Sequence, residues 1–234
     1  MLALIDSDIV AYRCAAVNNE TDANIARWQV DELMKRILDE VGTNDYVAYI
    51  SGDHNFRYAV CPDYKANRRD MVRPKHLEEC RIHLVREWDA KICDGIEADD
   101  AIGILASASK LNDFMICSID KDLKQIPGLH YNFVKREFEE INQSVGIWNF
   151  FYQLLVGDAT DNVKGCPGIG AAKAPRILKK NYYTECLSEY LHTYNNYKEA
   201  IQCLTMNAQL LWILRKPLPD GLWKPEPLEL DQVF

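Results

Sequence analysis

The sequence lacks the marks of a secreted, zinc-binding or membrane-spanning protein. No apolar run approaches the roughly 18 residues that a membrane helix needs, and Met1 leads into Asp6 rather than into a signal peptide. The eight cysteines are scattered, with no Cys-x-x-Cys pair and no histidine at zinc-ligand spacing. We therefore expect a cytoplasmic protein without membrane contacts, in which most cysteines are reduced core residues.

The chain also lacks a net positive charge. Its 27 basic and 35 acidic residues give a formal net charge of -8, which by itself disfavours a polyanionic partner. Base is nevertheless concentrated locally. Residues 54–76 are rich in arginine and lysine, and the stretch from Lys164 to Lys180 contains no acid. A nucleic-acid partner is therefore still compatible with the sequence, provided that it meets these two segments.

Acidic residues follow each of four predicted strands. The strands are expected at Leu2–Ile5, Tyr46–Ile50, Ala90–Cys93 and Phe114–Ile119, with helical patterns between them. This alternation predicts an α/β fold with a parallel sheet, in which ligands bind at the carboxyl ends of the strands. We expect one acidic pocket there, formed by Asp6, Asp53, Glu97, Asp99, Asp100, Asp120 and Asp122.

The densest group of acids is Ile96-Glu97-Ala98-Asp99-Asp100, at the front of an apolar helical run. For this group alone, capping of a helix N-terminus and binding of a metal are equally good explanations. Acids at the other strand ends favour the metal. Because the predicted ligands are all carboxylates, we expect Mg²⁺ or Mn²⁺.

Residues 54–76 combine basic side chains with aromatic rings. This composition suits a nucleic-acid strand whose phosphates are neutralised while a base stacks on a ring, and the alternative is a solvated loop without a specific role. A loop of this length inside a compact domain is uncommon unless it is functional or disordered, so we favour function. The residues assigned to it are Arg57, Tyr64, Lys65, Arg68 and Arg69.

A second candidate segment follows the apolar helical stretch Phe150–Val156. Asp158 and Asp161 are three residues apart, so on a helical turn they would point the same way. Glycines then allow a tight turn whose N–H groups approach a phosphate at the next helix N-terminus. We expect a grip on the nucleic-acid backbone that does not depend on base sequence. Its residues are Lys164, Gly165, Gly168, Gly170, Lys173 and Arg176.

These patterns predict an α/β core over residues 1–140 that carries the segment at 54–76. A helical region follows over 141–216 and contains the glycine-rich segment at about 157–180. Residues 217–234 form a proline-rich tail, which we expect to be an extended wrap or a loose end.

Taken in order, the motifs resemble those of the 5′-nuclease family, which comprises flap endonucleases, phage 5′→3′ exonucleases and the 5′-nuclease part of bacterial DNA polymerase I. The group at 96–100 resembles the central acidic signature of the family, and Ser118–Asp122 resembles its aspartate pair. Residues 157–174 resemble its helix–three-turn–helix motif. Tyr64–Arg68 resembles the arch segment of the phage members, with Lys65 and Arg68 at its two basic positions.

The resemblance implies a PIN-like, mostly parallel sheet flanked by helices, with a helical arch and a C-terminal helix–three-turn–helix region. It also implies hydrolysis of DNA phosphodiesters near a 5′ end, flap, nick or gap by two or more divalent ions, with K⁺ at the helix–three-turn–helix. Lys65 and Arg68 would contact the scissile phosphate and Tyr64 the terminal base. Asp158 and Asp161 would complete the set of metal ligands.

We expect a monomer from the cytoplasm of a bacterial or phage-infected cell. Two alternatives stay open at this point. One is an RNA-directed enzyme of the same core, such as an RNase H-like remover of RNA primers that acts on RNA–DNA hybrids. The other is a catalytically silent DNA-binding protein.

Overall fold

The computed structural model describes residues 1–110, 113–194 and 196–225. Its strands are β1 (Leu2–Asp6), β2 (Tyr46–Asn55), β3 (Lys91–Gly95), β4 (Phe114–Cys117), β5 (Gly128–Asn132) and β6 (Glu137–Ile141). Its α-helices are α1 (Ser7–Val17), α2 (Ala23–Val41), α3 (Arg57–Val60), α4 (Leu77–Glu87), α5 (Ala98–Ala108), α6 (Gln143–Val156), α7 (Ala174–Ile177), α8 (Tyr182–Thr193) and α9 (Tyr197–Leu211). None of the helices in these ranges has the length and apolar character needed to cross a membrane.

The chain divides into two compact units. The sheet unit contains Met1–Asn55, Val72–Gln143 and Ile213–Pro217, and the helical unit contains Phe56–Met71, Ser144–Trp212 and the described residues from Leu218 onward. The sequence prediction attached the segment at 54–76 to the α/β core, whereas most of it belongs to the helical unit. The part of the predicted tail at 226–234 lies outside the described residues.

The sheet confirms the predicted α/β class. Its strand order is β3-β2-β1-β4-β5-β6, and every neighbouring pair is parallel except β5 and β6, which are antiparallel. Side chains of β1 alternate between two apolar clusters, because successive residues of a strand face opposite sides of the sheet. Ala3 and Ile5 pack with residues of α1 and α2, whereas Leu4 packs with Ile102 of α5. Burial on both faces explains the nearly continuous apolar run of β1.

The order of the strands creates a switch point between β1 and β4. The chain runs outward from β1 to β2 and β3, and then returns to place β4 on the other side of β1. Pairing aligns Asp6 with Tyr49, Ile5 with Cys117 and Ser51 with the β3 residue Cys93. The carboxyl ends of these strands therefore form one edge, and ligands bind such sheets at the switch point.

Ile213–Pro217 is a late segment of the chain that packs inside the sheet unit. The Leu214 N–H donates to Asp100 Oδ1 at 3.0 Å, and Arg215 Nη2 donates to the carbonyl of Gln125 at 2.8 Å. Gly103 of α5 lies so close that an added Cβ would be 2.5 Å from the Leu214 carbonyl oxygen. The absence of a side chain at position 103 thus lets the segment lie directly against α5.

The helical unit has its own apolar core, formed by α6, α8 and α9 together with Tyr64. Gly157 and Gly165 face each other with positive φ, and a Cβ on either would collide with the backbone of the other strand of the loop. The backbone segments at Gly157 and Gly165, in the loop between α6 and α7, are therefore in close contact. The Asn207 side chain of α9 fixes it further by donating to the Gly165 carbonyl at 3.1 Å.

Candidate functional site

Asp6 lies at the end of β1, beside the switch point. Its Oδ2 accepts the Ser118 hydroxyl at 2.8 Å, and its Oδ1 caps α1 by accepting from the Ile9 N–H at 3.4 Å. The residue is 5% exposed. Burial, together with repulsion from Asp8 and Asp120, raises the pKa of Asp6 to about 7, against the opposing effect of the Ser118 hydrogen bond. A carboxylate in these surroundings is stabilised by a cation.

Asp120 and Asp122 lie beyond β4, on the other side of the switch point. The Asp120 N–H donates to Ser118 Oγ at 3.0 Å, so Ser118 contacts both Asp6 and Asp120. Asp120 Oδ1 accepts from the Asp122 N–H at 2.8 Å, and Asp122 begins the short 3-10 helix Asp122–Gln125. Both side chains are partly exposed. The predicted aspartate pair is thus positioned next to Asp6 through one serine.

Glu97 and Asp99 lie at the N-terminus of α5, where the sequence predicted a helix start. The Ala98 N–H donates to Ser51 Oγ at 2.9 Å, which ties this end of α5 to β2. Repulsion from Asp8, Asp100 and Asp99 helps burial to raise the pKa of the Cys93 thiol to about 12. The α5 acids therefore lie near the carboxyl end of β3, at the same edge of the sheet as Asp6.

Asp100 has a structural role that the sequence prediction missed. It was assigned to the metal, but it is fully buried, with Oδ1 bound to the Leu214 N–H and Oδ2 accepting from the Glu97 N–H at 3.2 Å. The carboxylate therefore closes the first turn of α5 and anchors the segment at 213–217. These backbone contacts give Asp100 a part in the packing of the sheet unit, and its role as a metal ligand stays a prediction.

Asp53 differs from its predicted placement. The sequence suggested a strand that ends at Ile50 with Asp53 just beyond it, whereas β2 continues to Asn55 and Asp53 is an exposed residue within it. Pairing of β2 with β3 is irregular between Ser51 and Asn55, which accounts for the extension. The structure thus does not place Asp53 at a strand end.

Three residues of this edge were missed by sequence reasoning. Asp8 accepts from the Ser51 N–H at 2.9 Å and from Arg81 Nη1 at 2.5 Å, and Arg81 also donates to the Ser51 carbonyl. Ser118 joins Asp6 to Asp120, as described above. The available signal was the presence of polar residues near the carboxyl ends of two predicted strands, Asp8 beyond Leu2–Ile5 and Ser118 within Phe114–Ile119. Nothing in the local pattern around Arg81 pointed to this contact.

The carboxylates at this edge are bound to protein groups rather than gathered around a common point. Within residues 1–110, 113–194 and 196–225, no group of three or more His, Cys, Asp or Glu side chains is close enough to hold a metal ion. An ion at this edge would therefore require some side chains to exchange hydrogen bonds for the ion. The present partners include backbone N–H groups, as in the bond from the Asp100 N–H to Asp99 Oδ1 at 2.7 Å, serine hydroxyls, and the side chains of Arg81 and Lys121.

Asp158 and Asp161 lie in the helical unit, in a tight loop rather than on the predicted helical turn. Asp158 pairs with Val163 as an isolated antiparallel bridge, and its buried side chain accepts from the Thr160 N–H at 2.7 Å. Asp161 instead accepts from the Tyr64 hydroxyl at 2.9 Å. The two carboxylates therefore have different partners, which the spacing of three residues did not reveal.

The predicted arch residues Tyr64, Lys65 and Arg68 all contact Asp161. Tyr64 is 2% exposed and packs in the core of the helical unit, so its ring is not presented for stacking on a base, contrary to the prediction. The side chains of Lys65 and Arg68 are 19% and 41% exposed. Only these two of the three reach the surface.

Two of the predicted DNA-binding residues are buried. Arg57 is 2% exposed and donates through Nε and Nη2 to the Leu210 and Trp212 carbonyls at 2.9 and 2.8 Å, which satisfies the C-terminal end of α9. Gly165 is buried against Gly157. Both residues are thus structural. The others are exposed, namely Arg69, Lys164, Gly168, Gly170, Lys173 and Arg176.

The helix that follows the glycine-rich loop is shorter than the prediction assumed. α7 has four residues, Ala174–Ile177, and Lys173 Nζ donates to the Gly168 carbonyl at 2.9 Å. A macrodipole of one turn contributes little to phosphate binding, so any grip here would depend on side-chain charge and open loop N–H groups. The helix–three-turn–helix motif stays a prediction.

The chain is similar in sequence to a protein family and to several known proteins. Residues 1–147 match the family model described as "5′-3′ exonuclease, N-terminal resolvase-like domain". The chain is 30% identical over 224 residues to a 5′-3′ exonuclease of Buchnera aphidicola, covering 87% of this chain and 76% of the relative. It is also 30% identical over 180 residues to flap endonuclease Xni of a Shewanella strain, covering 70% and 68%.

Relatives of greater length match over part of their sequence. DNA polymerase I of Geobacillus stearothermophilus is 30% identical over 206 residues, which is 76% of this chain and 23% of the polymerase. The chain therefore spans about a quarter of the length of that relative.

Solved structures agree on the fold. A T5 protein co-crystallized with metal ions superposes with a TM-score of 0.70 at 17% identity, covering 90% of this chain and 88% of that one. A T5 flap endonuclease, in a pseudo-enzyme-product complex with DNA and metal ions, gives 0.67 at 16% identity with the same coverage. The sheet and its neighbours thus define a PIN-like α/β protein. Within that class, the chain belongs to the 5′-nuclease family.

The raised pKa of Asp6 makes the stability of the metal-free protein depend on pH. The folded chain binds this proton more tightly than the unfolded chain, so the contribution of Asp6 is full below about pH 4 and is lost as pH rises towards 7. Asp6→Asn should remove this loss. We expect the Tm of the variant relative to wild type to increase between pH 5 and pH 8 in EDTA, measured by circular dichroism.

Asp113→Asn controls for loss of an acid, because Asp113 is exposed at the opposite edge of the sheet. A Tm difference for Asp6→Asn that stays constant with pH would contradict the assignment.

The structural role of Asp100 predicts a different outcome for two adjacent aspartates. Asp100→Asn would direct an amide NH₂ at a backbone N–H, which should lower the free energy of unfolding by about 1–3 kcal/mol. Asp99→Asn should cost less, since Asp99 is partly exposed and the amide oxygen can still accept from the Asp100 N–H. Urea denaturation measures both, and equal losses would show that Asp100 is not the anchor.

Proposed function

We propose that this chain is a structure-selective 5′-nuclease that depends on divalent metal ions and hydrolyses DNA phosphodiesters near a 5′ end. It acts as a 5′→3′ exonuclease, a flap endonuclease or both. One observation carries the proposal: Asp6 and Asp120 are joined through Ser118 at the switch point of the sheet, in a chain of the 5′-nuclease family. The names of its relatives, 5′-3′ exonuclease and flap endonuclease, support the same activity.

The side chains of the sheet unit fit hard divalent cations. Asp6, Asp120, Asp122, Glu97 and Asp99 offer only carboxylate oxygens, which suit Mg²⁺ or Mn²⁺. Repulsion at Asp6 supplies an electrostatic reason for binding a cation. Two such ions, when bound, activate water and stabilise charge on the leaving oxygen of a phosphodiester. Metal ions in the related T5 structures support this role.

Basic residues of the helical unit would hold the substrate. Lys65 and Arg68 donate to phosphate oxygens, and the guanidinium of Arg68 is able to bond two oxygens at once. Lys164, Lys173 and Arg176 are exposed around the glycine-rich loop and neutralise the backbone of the duplex. Asp158 and Asp161 remain proposed metal ligands, and the loop from Gly157 to Gly170 is the proposed K⁺ site.

The direct test is a cleavage assay with the purified chain and Mg²⁺. The substrates are a 5′ flap, a nicked duplex, a blunt duplex and an RNA–DNA hybrid, each labelled at one end or the other. We expect cleavage that begins near the 5′ end and ceases in EDTA. Products that accumulate from the 3′ end, or no products from any DNA, would contradict the proposal. Preference for the hybrid would favour RNA-primer removal.

Asp122→Asn should lower the cleavage rate about 100-fold or more, because ions that the carboxylate helps to hold supply several kcal/mol of transition-state stabilisation. The dissociation constant for DNA in Ca²⁺ should change little. Asp113→Asn, at the amino end of the same strand region, is the matched control and should cleave like wild type. Unchanged turnover by Asp122→Asn in Mg²⁺ would contradict the assignment of Asp122 as a metal ligand.

A further inference from the structure

Within the helical unit, residues 63–68 are joined to the loop at 159–162 by hydrogen bonds to backbone carbonyls. The Lys65 N–H donates to the Asp161 carbonyl at 2.9 Å, and Arg68 Nε donates to the Thr160 carbonyl at 3.0 Å. In the other direction, Asn162 Nδ2 donates to the carbonyl of Asp63 at 2.8 Å. The segment and the loop thus hold each other through donors on both sides.

Backbone conformation at the junction supports a built contact. Lys65 and Asn162 both have left-handed φ, 54° and 58°, although neither is glycine. A left-handed conformation is unfavourable for a residue other than glycine and persists only where its surroundings compensate. The hydrogen bonds named above are that compensation.

The side chains at this junction enclose one carboxylate with two cations. Asp161 Oδ2 accepts from the Tyr64 hydroxyl at 2.9 Å and lies 3.7 Å from Lys65 Nζ, while Oδ1 is bound by Arg68 Nη2. The Lys65 ammonium also lies 5.0 Å from the centre of the Tyr64 ring. With its side chain 16% exposed, Asp161 is a partly buried anion that both Lys65 and Arg68 face.

A carboxylate and a phosphate present similar pairs of oxygens to these donors. An arginine fork binds both groups in the same bidentate manner, and a lysine ammonium attracts both as a point charge. Lys65 and Arg68 are the cations proposed to receive the DNA phosphate. In this structure the same two cations already have an anion between them.

We infer that Asp161 is a positioning residue whose carboxylate fills the phosphate position of Lys65 and Arg68 until DNA displaces it. The inference rests on the proposed function, since it takes the ligand to be a nucleic-acid phosphate. Asp161 keeps both cations oriented in the free protein, and Tyr64 keeps Asp161 in place. Phosphate and carboxylate compete for one position, so binding of DNA requires Asp161 to give up Lys65 and Arg68, which frees its carboxylate for the metal role proposed above.

The competing explanation is general repulsion, because removal of any acid near DNA strengthens binding. A double-mutant cycle separates the two. Wild type, Asp161→Asn, the pair Lys65→Ala/Arg68→Ala, and all three substitutions together would be titrated with a 5′-phosphorylated single-stranded oligonucleotide. Fluorescence anisotropy in EDTA gives the dissociation constants without metal and without cleavage. The control is Asp70→Asn, which removes an exposed acid two residues beyond Arg68.

Competition predicts that Asp161→Asn strengthens binding about fivefold when Lys65 and Arg68 are present, the order expected for release of one ion pair. In the Lys65→Ala/Arg68→Ala background the same substitution should have no effect. Equal strengthening in both backgrounds, or weaker binding by Asp161→Asn alone, would overturn the inference.

Tyr64→Phe gives a second measurement that keeps all charges. It removes one hydrogen-bond donor from Asp161. The dissociation constant for the oligonucleotide should fall, as it does for Asp161→Asn, but by a smaller factor and only when Lys65 and Arg68 are present. No change, or the same change without these cations, would count against the inference. If wild type does not bind the oligonucleotide, or binds no better than Lys65→Ala/Arg68→Ala, the proposed function itself fails, and this inference with it.

Discussion

Repulsion between carboxylates at the end of a buried parallel sheet is the constraint on which the rest of the sheet unit depends. Parallel pairing brings Asp6, Asp8 and Asp120 to one edge, and burial denies Asp6 the water that would solvate its charge. Hydrogen bonds from Ser118 and from a backbone N–H replace part of the lost solvation of Asp6. A fold of apolar strands has no packing reason to gather acids at this edge. The divalent ions proposed above would provide a functional reason.

The negative charges of the aspartates are compensated by different partners in each unit. In the sheet unit, Arg81 binds Asp8, while Asp6 is stabilised mainly by the Ser118 hydroxyl. In the helical unit, Asp161 has two cations and a phenol as partners. Although the net charge is -8, basic residues are locally dense at 54–76 and 164–180, the segments proposed to meet DNA. This local density is compatible with the proposed polyanionic substrate.

The parts of the fold that could be predicted were those set by local patterns. The helix α2 lies between the first two strands, where the sequence predicted a helical pattern, and it ends at Gly42 as a left-handed cap. The strands that precede acidic residues were likewise predicted from local pattern, since each is a short apolar run. The alternation of strands and helices then sufficed for the parallel sheet.

Several residues whose burial the sequence did not indicate have partners far along the chain. Asp100 is fixed by Leu214, 114 residues later, and Arg57 by Leu210, 153 residues later. Tyr64 is buried because it reaches Asp161, 97 residues away. An acid, an arginine and an aromatic ring each have the chemistry of a nuclease site, but burial decides whether that chemistry is available. Burial depends on tertiary contacts that no local spacing contains.

The central claim is that the acids at the switch point hold divalent ions. Anomalous diffraction from crystals grown with Mn²⁺ tests it most directly, because the signal locates the metal without reference to activity. We expect anomalous density in contact with the carboxylates of Asp6 and Asp120. Manganese bound elsewhere on the chain, with none at these two residues, would contradict it.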